Sequence, residues 1–269
     1  MRGATACGLT LATILVLGSP LPARAQASPP AAAATDAAPV AFLTAYHGRI
    51  GAARFTVDDE QFTWEGRFAG DVDLVDYGSG RLNFAAEYAV VLGSERRSFD
   101  PTQGFYALDF RATRRFGTIE VGGVFHHVSR HLSDRAKTDA IDWNMLGAEV
   151  LAQSEMSGFR LESRLHASGV IKHSYVDYTW RSGVGLGLER DLSPRVTFIG
   201  QGAVDFLGID AAIAGRSSQV GAYVEGGVRL RGEAAALELF VAFERRVDPD
   251  PLERTVRNWG LVGFRLLNR

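Results

Sequence analysis

Cysteine occurs once in this chain of 269 residues, at Cys7. That position falls in a segment read below as removable, so the mature chain is expected to have no disulfide and no cysteine-based zinc site. Charge of one sign is also lacking. With 29 Lys and Arg against 31 Asp and Glu, the formal net charge is −2. This gives no electrostatic footprint for nucleic acid. Long apolar runs are missing as well, and none approaches the roughly eighteen residues of a transmembrane helix. A large exported domain without disulfides must find stability in another way. A closed barrel in a membrane is one, because every backbone polar group is satisfied between strands.

Export is read from the first residues. Met1-Arg2 supplies a positive charge, Thr10 to Leu17 is a short apolar core, and Pro20 and Pro22 break it. Ala23-Arg24-Ala25 then gives a small-residue cleavage pattern. Residues 1–25 are therefore expected to be a Sec signal peptide. The core is too short for an anchor helix. Residues 26–38, rich in Ala and Pro, form a low-complexity linker with nothing to bury. Residues 39–269 suit one large β domain.

The informative pattern there has period two. From Phe62 to Leu74, Phe62, Trp64, Phe68, Val72 and Leu74 share one parity. Thr63, Glu65, Arg67, Asp71 and Asp73 hold the other. Strand side chains alternate between faces, so only a strand separates these sets. The separation recurs at Arg81–Val91, Tyr106–Arg111, Phe159–His166, Val176–Glu189, Val220–Arg231 and Leu237–Arg246. A first strand within Val40–Val57, interrupted at His47-Gly-Arg-Ile-Gly, brings the total to about twelve, an even number as single-chain bacterial barrels have.

Connections alternate too. Gly78-Ser-Gly80, Phe116-Gly117, Glu155–Gly158, Leu192-Ser-Pro194 and Gly232-Glu233 read as tight turns. Ser94–Gln103, Arg130–Ala140, Leu207–Ser218 and Val247–Thr255 read as long polar loops. This is the asymmetry of an outer-membrane barrel, with the long loops facing outside. A soluble β-sandwich also alternates, and it would bury Trp64, Phe68, Tyr178 and Trp180 in a core. Strands of ten or more residues, with charges of both signs on the polar face, favour an antiparallel transmembrane β-barrel. Trp64, Tyr88, Tyr106, Tyr175, Trp180 and Trp259 are candidates for its aromatic girdles. The glycines at 183, 185 and 187 alternate with apolar residues and lack a following helix, so they read as small lumen-side residues and not as a phosphate loop.

The densest polar cluster runs from Phe125 to Arg135 and contains His126, His127, Ser129, Arg130, His131, Asp134 and Arg135. Parity sends His126 to the lumen and His127 and Ser129 to the lipid side. On the following strand Asp142 and Asn144 share the lipid side. A nucleophile, a base and an orienting group could meet there across neighbouring strands. Histidines alternating along one strand point to opposite faces, so no shared metal is expected, and no cofactor.

His127-Val-Ser129 resembles the H-x-S element of two kinds of outer-membrane lipid hydrolase, the lipid A 3-O-deacylases and outer-membrane phospholipase A. The resemblance implies His127 as base, Ser129 as nucleophile, and Asp142 or Asn144 as orienter. Those families continue with Asn and Gly, where this chain has Arg130, His131 and Leu132. Ser129-Arg-His131-Leu-Ser-Asp134 is similar to the S-S-H-L-G-D segment of an uncharacterised outer-membrane barrel family of the domain-of-unknown-function type. That resemblance implies a barrel without an assigned activity.

The sequence thus points first to a barrel that is structural or a narrow pore, and alternatively to an outer-leaflet lipid hydrolase using Ser129 and His127. In the first reading His126, Arg130, His131, Asp134 and Arg135 are lipid or loop contacts, with the arginines on phosphates. Outer-membrane lipids, lipopolysaccharide among them, are the expected partners, and nucleic acid is not. The oligomeric state is left open. The expected location is the bacterial outer membrane after Sec-dependent export.

Overall fold

In a computed structural model the chain forms a closed antiparallel β-barrel. The structure describes residues 40–268 except Asp134, Arg135, Lys137 and Thr138. The expected signal peptide and linker lie outside the described residues. A two-residue strand β1 (Ala41–Phe42) pairs with the end of β3. The barrel comprises twelve strands: β2 (Tyr46–Phe55), β3 (Trp64–Asp76), β4 (Gly80–Gly93), β5 (Asp100–Phe116), β6 (Ile119–Leu132), β7 (Ile141–Met156), β8 (Phe159–Ser174), β9 (Tyr178–Ser193), β10 (Val196–Ile209), β11 (Gln219–Arg231), β12 (Ala235–Val247) and β13 (Val256–Asn268). Each pairs with its sequence neighbour, and β13 closes on β2. The twelve barrel strands β2 to β13 thus close on themselves, as a membrane barrel requires.

The strands hold 10 to 17 residues, at least the 9–11 or so that a tilted strand needs to cross the hydrocarbon. Short turns link them at one rim. Ser157-Gly158 is a two-residue turn with φ of 53° and 77°, the mirror-image geometry that matches strand twist. The other rim carries the longer connections, including 56–63, 133–140, 210–218 and 248–255. The third of these contains a single-turn helix α1 (Ala211–Ala214), capped by the Asp210 side chain.

Alternation places the apolar row outside. Phe68 is 54 % exposed and Trp180 42 %, which excludes the sandwich core. The other row fills the lumen with paired charges. Arg246 lies 2.6 Å from Glu65 and 2.7 Å from Glu244. Arg81 bridges Asp73 and Glu120. Glu149 sits between Arg111 and Arg164, at 3.1 and 2.7 Å. Such pairs gain little net stability over apolar packing. Removing one partner is costly, about 3–5 kcal/mol, because a charge is left unpaired.

Several sequence expectations change. His47-Gly-Arg-Ile-Gly does not interrupt a strand; β2 runs straight through it. Phe62 lies in the loop before β3, fully buried against Phe55 and Trp259 with ring centroids 6.0 and 5.1 Å away. Trp259 is therefore a lumen residue and not part of a girdle. Tyr178 also turns inward. The β9–β10 register slips between Gly208↔Trp180 and Ile209↔Tyr178, and such a slip reverses a side chain's face.

The long-loop mouth is filled. Pro249 and Asp250 are fully buried. Arg216 spans Asp177 at 2.9 Å and Asp248 at 2.6 Å, and Tyr178 donates to Asp248 at 2.6 Å. Hydrogen bonds to Asp248, and then to Asp177, raise the Arg216 pKa above the usual guanidinium value. Below this plug a cavity of about 220 Å³ remains among the charge pairs.

Candidate functional site

The site is built on β6 near the long-loop rim. Ser129 lies three residues before the end of that strand. Its register partners are Tyr106 on β5 and Asp142 on β7, while His127 is opposite Leu108 and Asn144. Residues directly opposite share a face. His127, Ser129, Asp142 and Asn144 are therefore brought together on the outside of the barrel, as parity requires.

Asn144, and not Asp142, bonds the His127 ring. Asn144 Oδ1 lies 2.9 Å from His127 Nδ1. A carbonyl oxygen only accepts, so the proton is on Nδ1 and Nε2 keeps its lone pair. Asp142 stands one pair nearer the rim, opposite Ser129. The hydroxyl of Ser129 is not on His127. It bonds His131 Nε2 at 3.1 Å. The reason is geometric: residues 127, 129 and 131 share one face, so the serine lies between two imidazoles. The His131 ring is steadied by Tyr106, with ring centroids 4.9 Å apart.

The other cluster residues go elsewhere. His126 faces the lumen and pairs with Asp109. Arg130 also points inward, donating to the Asp248 and Pro249 carbonyls. It anchors the plug and does not reach lipid phosphate. Asp134 and Arg135 lie outside the described residues. Among the described residues no group of three or more His, Cys, Asp or Glu is arranged to hold a metal ion.

Two features were hidden in the sequence. The first is Lys172. In the β7–β8 ladder Met145 pairs with Val170 but Asn144 pairs with Lys172, which leaves Ile171 as a bulge. The bulge turns Lys172 onto the outer face beside Asn144. No sequence signal marks it. The second is an open trough of about 1060 Å³ that runs from His127 and Ser129 across β5, β4 and β3 to β2. Its floor follows the register row Leu108, Ala86, Gly70, Gly48. Tyr106, Tyr88, Phe68 and Ile50 wall one side, and Tyr46 stands on the other. Strand stagger tilts the row. It begins near the long-loop rim at Ser129 and reaches the short-turn end of β13 at Leu266. Small residues between two bulky rows could have revealed it once the register was known.

No family model matches the chain, and no curated protein matches it in sequence. Solved structures do match. Outer membrane phospholipase A from Escherichia coli aligns over 83% of this chain and 92% of its own, at 12% identity and a TM-score of 0.51. A structure of the same enzyme carrying an active-site asparagine-to-alanine change covers 85% and 91%, at 11% identity and 0.51. The Salmonella typhi outer membrane phospholipase dimer with bound calcium covers 83% and 90%, at 13% identity and 0.51. At these identities the likeness establishes the fold, that of an outer-membrane β-barrel, and no more.

Proposed function

We propose that this protein is an outer-leaflet lipid ester hydrolase, of phospholipase or lipid A deacylase type, with Ser129 as nucleophile, His127 as general base and Asn144 as its orienter. The observation that carries the reading is the His127–Asn144 hydrogen bond on the lipid-facing wall beside Ser129. An imidazole held with its lone pair on Nε2 is what a serine nucleophile needs. An asparagine belongs to the active site of the E. coli phospholipase by the description of its mutant, and Asn144 has the matching chemistry here. The trough supports a lipid substrate, because it offers an acyl chain an apolar path away from the site toward the bilayer centre. Lys172 stands where it can meet an anionic headgroup.

With the long loops outward, a serine three residues from the long-loop end of β6 would face the outer leaflet. That placement goes with export through residues 1–25 and with outer-membrane lipids, lipopolysaccharide included, as partners. Serine attack forms an Oγ–carbonyl carbon bond and passes the hydroxyl proton to His127 Nε2. The departing alkoxide then takes that proton and leaves an acyl-serine. Water, deprotonated by His127, then attacks the acyl carbon; the Oγ–C bond breaks, the fatty acid leaves, and Ser129 Oγ takes the proton back from His127.

The pore reading retains the charged cavity of about 220 Å³ as its support. The mouth filled by Asp248, Pro249 and Asp250 counts against it.

The test is fatty-acid release from phospholipid and from lipopolysaccharide in detergent micelles by refolded protein, beside Ser129→Ala and His127→Ala. Release by the parent and its loss in both variants is the expected result. No release from a folded, heat-modifiable parent would reject the enzyme.

A further inference from the structure

We propose that His131 is the oxyanion donor of this site, the group that stabilises the charge formed when Ser129 attacks an ester. This rests on the hydrolase reading above. Ser129 lies inside a strand with partners on both sides, Tyr106 and Asp142. The backbone N–H groups around it are committed to the ladder, and they point in the plane of the sheet. A serine on a sharp turn or at a helix start has free backbone donors for an oxyanion, and a serine in mid-strand does not. The donor must then be an outward side chain close to Oγ. His131 is such a group, with Nε2 at 3.1 Å from the Ser129 hydroxyl.

The two histidines divide the work through their tautomers. Asn144 commits His127 to a lone pair on Nε2. Among the described residues no amide or carboxylate bonds the His131 ring, which rests on Tyr106. Its proton can therefore sit on Nε2 and be donated to the serine oxygen. The Oγ–H remains available to His127. During attack the new Oγ–C bond forms, the carbonyl π pair moves to oxygen, and the Oγ proton moves to His127 Nε2. The oxyanion arises on the carbon that Oγ has just joined. The Nε2–H of His131 shifts from Oγ to that neighbouring oxygen without moving its ring far. On collapse the C–O bond to the alcohol breaks, and the proton on His127 leaves with the alkoxide. His131 neither gains nor loses a proton in the cycle.

The experiment compares the full chain, refolded in micelles, with His131→Ala and His131→Gln. It reads kcat and KM for a long-chain acyl ester, and fluorophosphonate adduct on Ser129 by mass spectrometry. Loss of one preorganised donor predicts that His131→Ala lowers kcat by about 10²–10³-fold while KM stays within about threefold. Glutamine keeps an N–H donor but has no basic nitrogen, so His131→Gln is expected to recover at least about a tenth of the parent kcat. A His131→Ala kcat within about threefold of the parent overturns the proposal. So does a glutamine variant as impaired as alanine, because that result makes His131 a base. If the parent shows adduct and turnover, only the role of His131 has failed. If it shows neither, the hydrolase reading falls and this inference with it.

Discussion

Replacing Asn144 by alanine isolates the orienting bond of the proposed site. The change removes the acceptor that faces His127 Nδ1, Asn144 Oδ1 at 2.9 Å. Two things are lost together: the ring is free to rotate about its side-chain bonds, and its proton can move to Nε2, where it blocks the serine. A neutral hydrogen bond is worth about 0.5–1.5 kcal/mol net. The tautomer penalty adds to that, and with a buried carboxylate orienter the combined effect reaches about 10⁴ in kcat. A half-buried amide gives no charge compensation, so a smaller effect is expected. The prediction is a kcat fall of about 10- to 100-fold, or about 1.4–2.7 kcal/mol, with KM unchanged. Asn144→Asp keeps an acceptor on Nδ1 and also stabilises the imidazolium, so it should lie within about tenfold of the parent. The assay is initial-rate fatty-acid release from mixed micelles, on protein shown to be folded by heat-modifiable migration. Asn144→Ala with a kcat within about twofold of the parent refutes the orienting role. A larger loss from Asp142→Ala than from Asn144→Ala refutes the choice of orienter.

Three further outcomes test other parts of the molecule. Glu149→Ala leaves Arg111 and Arg164 without the carboxylate they share. It should cost about 3–5 kcal/mol, seen as loss of the heat-modifiable form at lower temperature; an unchanged transition would contradict the ion-pair account of the lumen. Arg216→Ala removes the bridge between Asp177 and Asp248 that holds the plug. Single-channel current in a planar bilayer should rise above that of the parent, and equal currents would mean that the plug is held by Arg130 and packing alone. Ala86→Phe fills the trough floor between Leu108 and Gly70. Hydrolysis of palmitoyl esters should fall while that of butanoyl esters persists, and a parallel loss of both would remove the trough from substrate binding.

The barrel was legible because a two-sided wall imposes strict alternation. Phe68, Leu82, Tyr88 and Val241 were read as outward from parity, and each is more than a third exposed. The errors fall where alternation is broken locally. Alternation through Val176–Glu189 puts Tyr178 in the outer row with Trp180, and the register slip that turns it inward leaves no mark on composition. Trp259 looked like a girdle residue, but its partners Phe55 and Phe62 come from the opposite end of the chain. Arg130 looked like a phosphate contact. Its actual partners are carbonyls of a loop more than a hundred residues away. The outer site was reached through the same parity rule that gave the barrel. It joined His127 to Asn144 across a ladder whose register the sequence did not specify. The bond between Ser129 and His131 needed only i, i+2 spacing, and it was missed because the resemblance to H-x-S drew the serine toward His127.

The identity of the orienter follows from where the site sits. An ionised carboxylate on a lipid-facing wall loses hydration without the compensating charges available in the lumen. The interior of this barrel meets that problem by pairing: Asp109 has His126 and Arg111, and Asp205 has His166 and Arg181. The outer wall offers His127 a neutral amide instead, and Asp142 lies a pair closer to the long-loop rim. The same constraint would act on the proposed catalytic cycle. In the proposed reaction, proton transfer from Ser129 to His127 would create an imidazolium on the lipid-facing wall, and with an amide as orienter its charge would be balanced chiefly by the oxyanion beside it. The two charges must then form and vanish together. A site of this kind gains most from a donor that fixes the oxyanion close to the imidazolium, and it gains least from groups that stabilise either charge alone. Ser129 placed between two histidines on one face would supply that arrangement, with the proposed base on one side and the proposed donor on the other.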